Sequence, residues 1–149
     1  MKTSRTPIRR LEGISYWVIE DAGAIYDFIN NEIRREWEED ARSERRDPEE
    51  DEWLRNLSSR KWTLEIREIT EVRLNPNTMN YIDEETGYVF QRSLTRRRKQ
   101  LQREIQNFGV VIWPLIVRAE DLQLIDGYCR YTVLKEMNVS HVYAYVGYP

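Results

Sequence analysis

The apolar residues of this 149-residue chain change their period at Trp62, and that change limits what the chain can fold into. Before it, Ala22, Ile25, Tyr26, Ile29, Ile33 and Trp37 recur at spacings of three and four, which lays one apolar stripe along a helix. After it, Trp62, Leu64 and Ile66 alternate with Thr63, Glu65 and Arg67, the period-two pattern of a strand. Two units are expected: a helical N-terminal extension over residues 1–60 and a small α/β (α+β) domain with a mixed sheet over residues 61–149. The length suffices for one compact domain with such an extension.

Local signals fill in the order of elements. Asp47-Pro48-Glu49-Glu50 reads as a helix restart, with Trp53, Leu54 and Leu57 on its buried side. Ile69–Leu74 continues the β character of the preceding strand and stops at Asn75-Pro76-Asn77, a turn by composition. Tyr81–Phe90 reads as a hairpin. Ser93 is expected to cap a helix that turns Leu94, Leu101, Ile105 and Phe108 inward and closes at Gly109. Val110–Arg118 reads as a strand interrupted by Pro114, and Leu122–Ile125 as a second. A helix is expected from Tyr128 to Met137, with Asn138 in a left-handed cap and Val142, Ala144 and Val146 in a final strand. Tyr143, Tyr145 and Tyr148 are expected on that strand's other face, beneath the N-terminal helices. His141 reads as a surface histidine in the turn before it.

Composition narrows the chemistry. Cys129 is the only cysteine and His141 the only histidine, so an internal disulfide and a zinc site of Cys and His alone are both excluded. No apolar run approaches the roughly 20 residues of a membrane span, and Met1–Arg5 leads into no apolar core, so no signal peptide is read. A cytoplasmic location is expected. Catalysis or binding must rest on carboxylates, arginines, backbone amides, one thiol or a bound cofactor. Charge is uneven: residues 1–60 carry a net −4, whereas residues 91–108 carry a net +5.

The segment Leu124-Ile125-Asp126-Gly127-Tyr128-Cys129-Arg130-Tyr131 carries the most chemical information. It reads as a strand, a tight Asp-Gly turn and a helix with an arginine in its first turn. Unpaired amides and the positive end of the helix dipole make such a terminus an anion site. Gly127 permits close approach of a ligand, Arg130 can fork onto phosphate oxygens, and Asp126 can cap the helix or hold a divalent cation. An ordinary capped helix gives the same spacing, so the segment alone leaves both readings open.

The order of elements around it resembles the ParB N-terminal and sulfiredoxin-like superfamily. The resemblance rests on a helix ending in Gly109, the strand Val111-Ile112-Trp113-Pro114-Leu115-Ile116-Val117-Arg118, and then Asp126-Gly127-x-x-Arg130-Tyr131 with its helix and closing strand. It covers roughly Glu65 to Val146. It implies a small α/β domain in which the Gly-x-x-Arg loop binds nucleotide phosphates. Members include partition proteins that bind CTP, sulfiredoxins that use ATP, and free serine kinases that use ADP or ATP. Against the sulfiredoxin pattern Gly-Gly-Cys-His-Arg, Tyr128 stands at the catalytic cysteine and Cys129 one residue on, about 100° around a helix. The serine kinase pattern Asp-Gly-His-His-Arg-aromatic is similar at Asp126, Gly127, Arg130 and Tyr131, with Tyr128 and Cys129 in place of the histidines.

The leading expectation is therefore a nucleotide or phosphate site at Asp126, Gly127, Tyr128, Cys129, Arg130 and Tyr131. ATP, ADP or CTP with Mg²⁺ is the implied ligand, and Asp126 is the candidate for orienting a metal or water in NTP hydrolysis or phosphoryl transfer. The alternative is a non-catalytic module that contacts nucleic acid through Arg92, Arg96, Arg97, Arg98, Lys99 and Arg103. In either case the N-terminal helices are available to a protein partner or a second copy. No metal ligands are assigned. A nuclease ranks third, because the sequence offers no compact carboxylate cluster for two metals.

Overall fold

The computed structural model describes residues 6–43 and 57–149. The expected helix restart at Asp47–Glu50, with Trp53 and Leu54, lies outside the described residues. The first elements are strands rather than helix: β1 (Ile8–Leu11) and β2 (Ile14–Trp17) form an antiparallel hairpin. It closes through Glu12 and Gly13, both at positive φ (50° and 83°), a two-residue turn whose twist suits a hairpin. The helical reading of residues 1–60 thus begins only at α1 (Ala22–Asp27), where the Asp21 carboxylate accepts from the Ala24 N–H at 2.9 Å. A π-helical stretch, Phe28–Ile33, leads into α2 (Arg34–Ser43).

Then follow β3 (Lys61–Glu68), a one-turn α3 (Pro76–Met79), the short hairpin strands β4 (Ile82–Asp83) and β5 (Tyr88–Val89), and α4 (Phe90–Phe108). The chain ends with β6 (Leu115–Arg118), β7 (Leu124–Asp126), α5 (Tyr128–Glu136) and β8 (His141–Tyr148). The sheet runs β3-β8-β6-β7, with β3 and β7 antiparallel to their neighbours and β6 parallel to β8. It is the mixed sheet of the expected α+β class.

Period-two alternation sends residues of each strand to opposite faces. Leu115, Val117, Val142, Ala144 and Val146 meet Leu94 and Ile105 of α4 and Val133 and Leu134 of α5. On the other face Trp62, Ile116 and Tyr145 meet Ile25, Phe28, Ile29 and Ile33 of the N-terminal helix. Tyr145 is thus where the sequence placed it, and its burial pushes the phenol up to about 12. Tyr143 instead packs edge-on against Tyr16 of the hairpin at 5.2 Å. Ile14, Tyr16 and Val18 share the core of residues 61–149, so packing is continuous across residue 60.

Several local readings shift. Asn75 does not end in a plain turn: its side chain caps α3, accepting from the Asn77 N–H at 2.9 Å. Ile69–Glu71 is a 3₁₀ turn rather than strand. Helix α4 starts at Phe90, so Ser93 lies inside it and accepts from Arg97 Nε. Strand β6 begins only after Pro114, which has no N–H to donate. Phe108 keeps the apolar period yet is 82% exposed, because period sets direction and not what lies opposite. Gly109 and Asn138 hold the left-handed conformations expected of them, each at φ 60°.

Glu12 ties the hairpin to the main sheet. Its carboxylate accepts from the Ser140 N–H and the His141 N–H, both at 2.8 Å, and from the Ser140 hydroxyl at 2.7 Å. His141 opens strand β8 rather than preceding it. These bonds, the Ser140 N–H foremost, lower the Glu12 pKa to about 2 from 4.5. A depressed pKa stabilises the folded state above the unfolded value, and that contribution is lost as pH falls from about 4.5 through about 2. Urea melts across this window are expected to show a shallower acid loss for Glu12→Gln than for the wild type. Identical slopes would remove Glu12 from the acid response.

Candidate functional site

The Asp126–Tyr131 segment is a strand end, a glycine and a helix start, as its sequence implies. Gly127 sits at φ +108°, and a Cβ there would fall 2.8 Å from Arg130 Nη2 and 3.0 Å from Leu115 Cδ2. Only glycine leaves room for the arginine to fold back over the turn. Arg130 Nη2 donates to the Pro114 carbonyl at 3.2 Å and to Asp126 Oδ2 at 3.4 Å. The buried Arg130 Nε has no partner among the described residues.

Asp126 does not cap the helix. Its Oδ1 accepts from the indole N–H of Trp37 at 2.9 Å, which links the loop to the N-terminal helices across 89 residues of sequence. The cap position belongs to Gly127, which offers no side-chain bond to the first-turn amides. Tyr128 turns into the core, 6% exposed. Its hydroxyl donates to the Leu124 carbonyl at 3.2 Å and accepts from the Asn75 N–H at 3.1 Å. Burial pushes the Tyr128 phenol upward.

Cys129 is half-buried, and desolvation raises its thiol pKa although the guanidiniums of Arg97, Arg130 and Arg98 all pull it down. In geometry the three diverge: Arg97 lies over the Phe90 ring, which meets Tyr128 edge-on, Arg98 reaches Glu136 at the far end of α5, and Arg130 folds back to the Pro114 carbonyl. The loop and the arginine helix, which the sequence offered as alternatives, touch through the Phe90 and Tyr128 rings, their centroids 5.6 Å apart.

Beside that turn runs a cleft of about 420 Å³ between α4 and α5. Leu74, Met79 and Leu94 give it apolar walls, and Gln91, Thr95 and Thr132 add polar groups. Of the residues singled out in the sequence, Tyr131 and Arg98 line it, whereas Asp126 through Arg130 do not. Lys135 and Glu136, which sequence reasoning missed, complete the wall. Lys135 donates to the Tyr131 hydroxyl at 3.2 Å, and Arg98 is ion-paired with Glu136. The signal for them lay in helical spacing, since Tyr131, Thr132, Lys135 and Glu136 share one face of α5.

Arg92, Arg96, Lys99 and Arg103 stand apart from this site. Their spacing of four, three and four places them in one exposed row on the side of α4 away from Leu94 and Ile105. Among the described residues, no group of three or more His, Cys, Asp or Glu side chains is placed to hold a metal ion. None of the described helices is long and apolar enough to cross a membrane.

No protein-family model and no curated protein matches the chain. Solved structures do. The C2221 form of a Pnob8-like ParB-N domain is similar at 19% identity with a TM-score of 0.42, over 59% of this chain and 30% of that one. A second pNOB8-like ParB N-domain structure gives 20% identity and a TM-score of 0.41, over 59% and 28%. The chain thus spans less than a third of the ParB N-domain chains to which it is similar in part of its fold.

Proposed function

We propose that the chain binds a phosphate-bearing ligand of nucleotide size, with the phosphate at the first turn of α5 and the nucleoside in the α4–α5 cleft. The Arg130 guanidinium folded over the Gly127 turn, with Arg97 close by across the Phe90 ring that meets Tyr128, carries this reading. First-turn amides and guanidiniums together favour an anion where either alone would be commonplace. A volume of about 420 Å³ suits a small molecule, and Leu74, Met79 and Leu94 offer a base or sugar a dry wall. ATP, ADP and CTP, with Mg²⁺ supplied by the nucleotide, are the ligands to test. Phosphoryl transfer through Asp126 has less support, because its carboxylate is held by Trp37 and Arg130 and does not line the cleft.

A nucleotide at a hundredfold its Kd is expected to add about 2.7 kcal/mol, raising the melting temperature by roughly 5–10 °C. Arg97→Ala is expected to remove most of that shift. Among the described residues it bonds the Ser93 hydroxyl and lies over the Phe90 ring, so the unliganded protein stays within about 0.5 kcal/mol of wild type. No shift with any nucleotide, or the same shift in the variant, would sink the proposal.

The exposed row Arg92, Arg96, Lys99 and Arg103 favours a second reading, a nucleic-acid backbone lying along α4. That reading needs duplex DNA binding whose log–log salt slope is roughly −3 to −4 for four phosphates. The slope should flatten as these residues are replaced by Gln, with the nucleotide shift untouched.

A further inference from the structure

The other face of the molecule holds a groove of opposite character. A cavity of about 630 Å³ opens between the chain on either side of the hairpin and the helix running from α1 into the π-helical stretch. Its floor is apolar, formed by Val18, Phe28 and Trp113, the last two stacked with ring centroids 4.4 Å apart. Its rim carries Glu20, Asp21, Asp27 and Glu32, and among the described residues no lysine, arginine or histidine lines it. Glu20 is paired with Arg9, and Asp21 caps α1. Asp27 and Glu32 are exposed, and no described residue forms a hydrogen bond or ion pair with either.

The π-helical stretch arranges this surface. Its wider turn, closed where the Arg34 N–H reaches the Ile29 carbonyl, buries Phe28, Ile29 and Ile33 together. Asp27, Asn31 and Glu32 are left around the cavity mouth. π-Helical insertions cost hydrogen-bond geometry and are found disproportionately at functional sites.

We propose that this groove takes a basic peptide segment of a partner protein, with an apolar side chain on Phe28 and Trp113 and flanking Lys or Arg side chains on the rim carboxylates. Charge complementarity selects the sign, since a rim on which, among the described residues, only Glu20 is ion-paired keeps net negative charge and repels phosphates, nucleic acid and acidic chains. The apolar floor selects an anchor residue over a hydrated cation, and no three of these acids come together as metal ligands. From Asp21, the cap of α1, to Glu32 the carboxylates are spread over roughly 16 Å of helix at 1.5 Å per residue, and Glu20 lies just before it. A single small cation does not span that length, whereas an extended basic segment does.

The test uses the whole chain and a fluorescein-labelled 12-residue peptide of alternating Leu and Arg, read by anisotropy. Saturable binding is expected, weakened at least roughly tenfold by the Asp27→Asn/Glu32→Gln double variant. A peptide with Ser in place of Leu is expected to lose as much, because it lacks the anchor. Both substitutions sit on exposed side chains, so an unchanged melting temperature accompanies the loss. The proposal is overturned by absent binding, by equal affinity in the double variant, or by equal affinity of the Ser peptide. Sedimentation of the chain alone provides the remaining arm: a dimer that the double variant dissolves assigns the groove to a second copy, which overturns the peptide assignment.

Discussion

Trp62→Ala is expected to cost about 3–5 kcal/mol, close to half the stability of a typical domain. Trp62 is 1% exposed on β3 and pairs with Gly147 directly across on β8. Its ring occupies the space of a missing side chain: a Cβ on Gly147 would lie 2.7 Å from Trp62 Cη2 and Cζ3. Removing the ring opens a void against Ile116, Tyr145 and the N-terminal helix, so the seam between helix and sheet loses its largest fully buried side chain. The same contact read from the other strand predicts that Gly147→Ala overpacks, at about 1–3 kcal/mol. Urea melts of Trp62→Leu/Gly147→Ala should then show a cost below the sum of the singles, because each change relieves the other. Strict additivity would mean that ring and glycine do not share that space.

Gly127→Ala is expected to cost about 2–4 kcal/mol and to blunt nucleotide binding at the same time. At φ +108° the added methyl is strained, a penalty of roughly 1–3 kcal/mol by itself. It also collides with the Arg130 guanidinium and Leu115, which cannot both retreat, since Leu115 is fully buried. Arg130 must leave the Pro114 carbonyl, and the head of α5 loses the guanidinium folded over it. Thermal melts with and without nucleotide separate the two effects: a lower starting temperature and a smaller ligand shift are both expected. A variant of lowered stability with a full ligand shift would make the glycine structural only.

The elements built from long, clean periods were legible in the sequence. The strand at Trp62, the helix closing at Gly109, the helix after Gly127 and the last strand all occur near their expected places. Short elements that depend on distant partners were not. The first hairpin is β because Tyr16 bridges Ile112 and Glu12 reaches Ser140, contacts that no local pattern encodes. Phe108 and Pro114 show the same limit, since neither the exposure of one nor the strand start after the other follows from period alone.

The site divides in the same way. By itself the sequence determined that chemistry here falls to arginines, carboxylates, amides, one thiol or a bound cofactor, that Gly127 opens a helix, and that Arg92, Arg96, Arg97, Arg98, Lys99 and Arg103 share one helix. Only the tertiary structure decided which arginines meet that helix. It turned Tyr128 into the core, tied Asp126 to Trp37, laid Arg97 over Phe90 and sent Arg98 to Glu136. The reason is physical: helical and strand periods set the direction each side chain points, but what it meets depends on how α4 and the N-terminal helix lie across the two faces of the sheet.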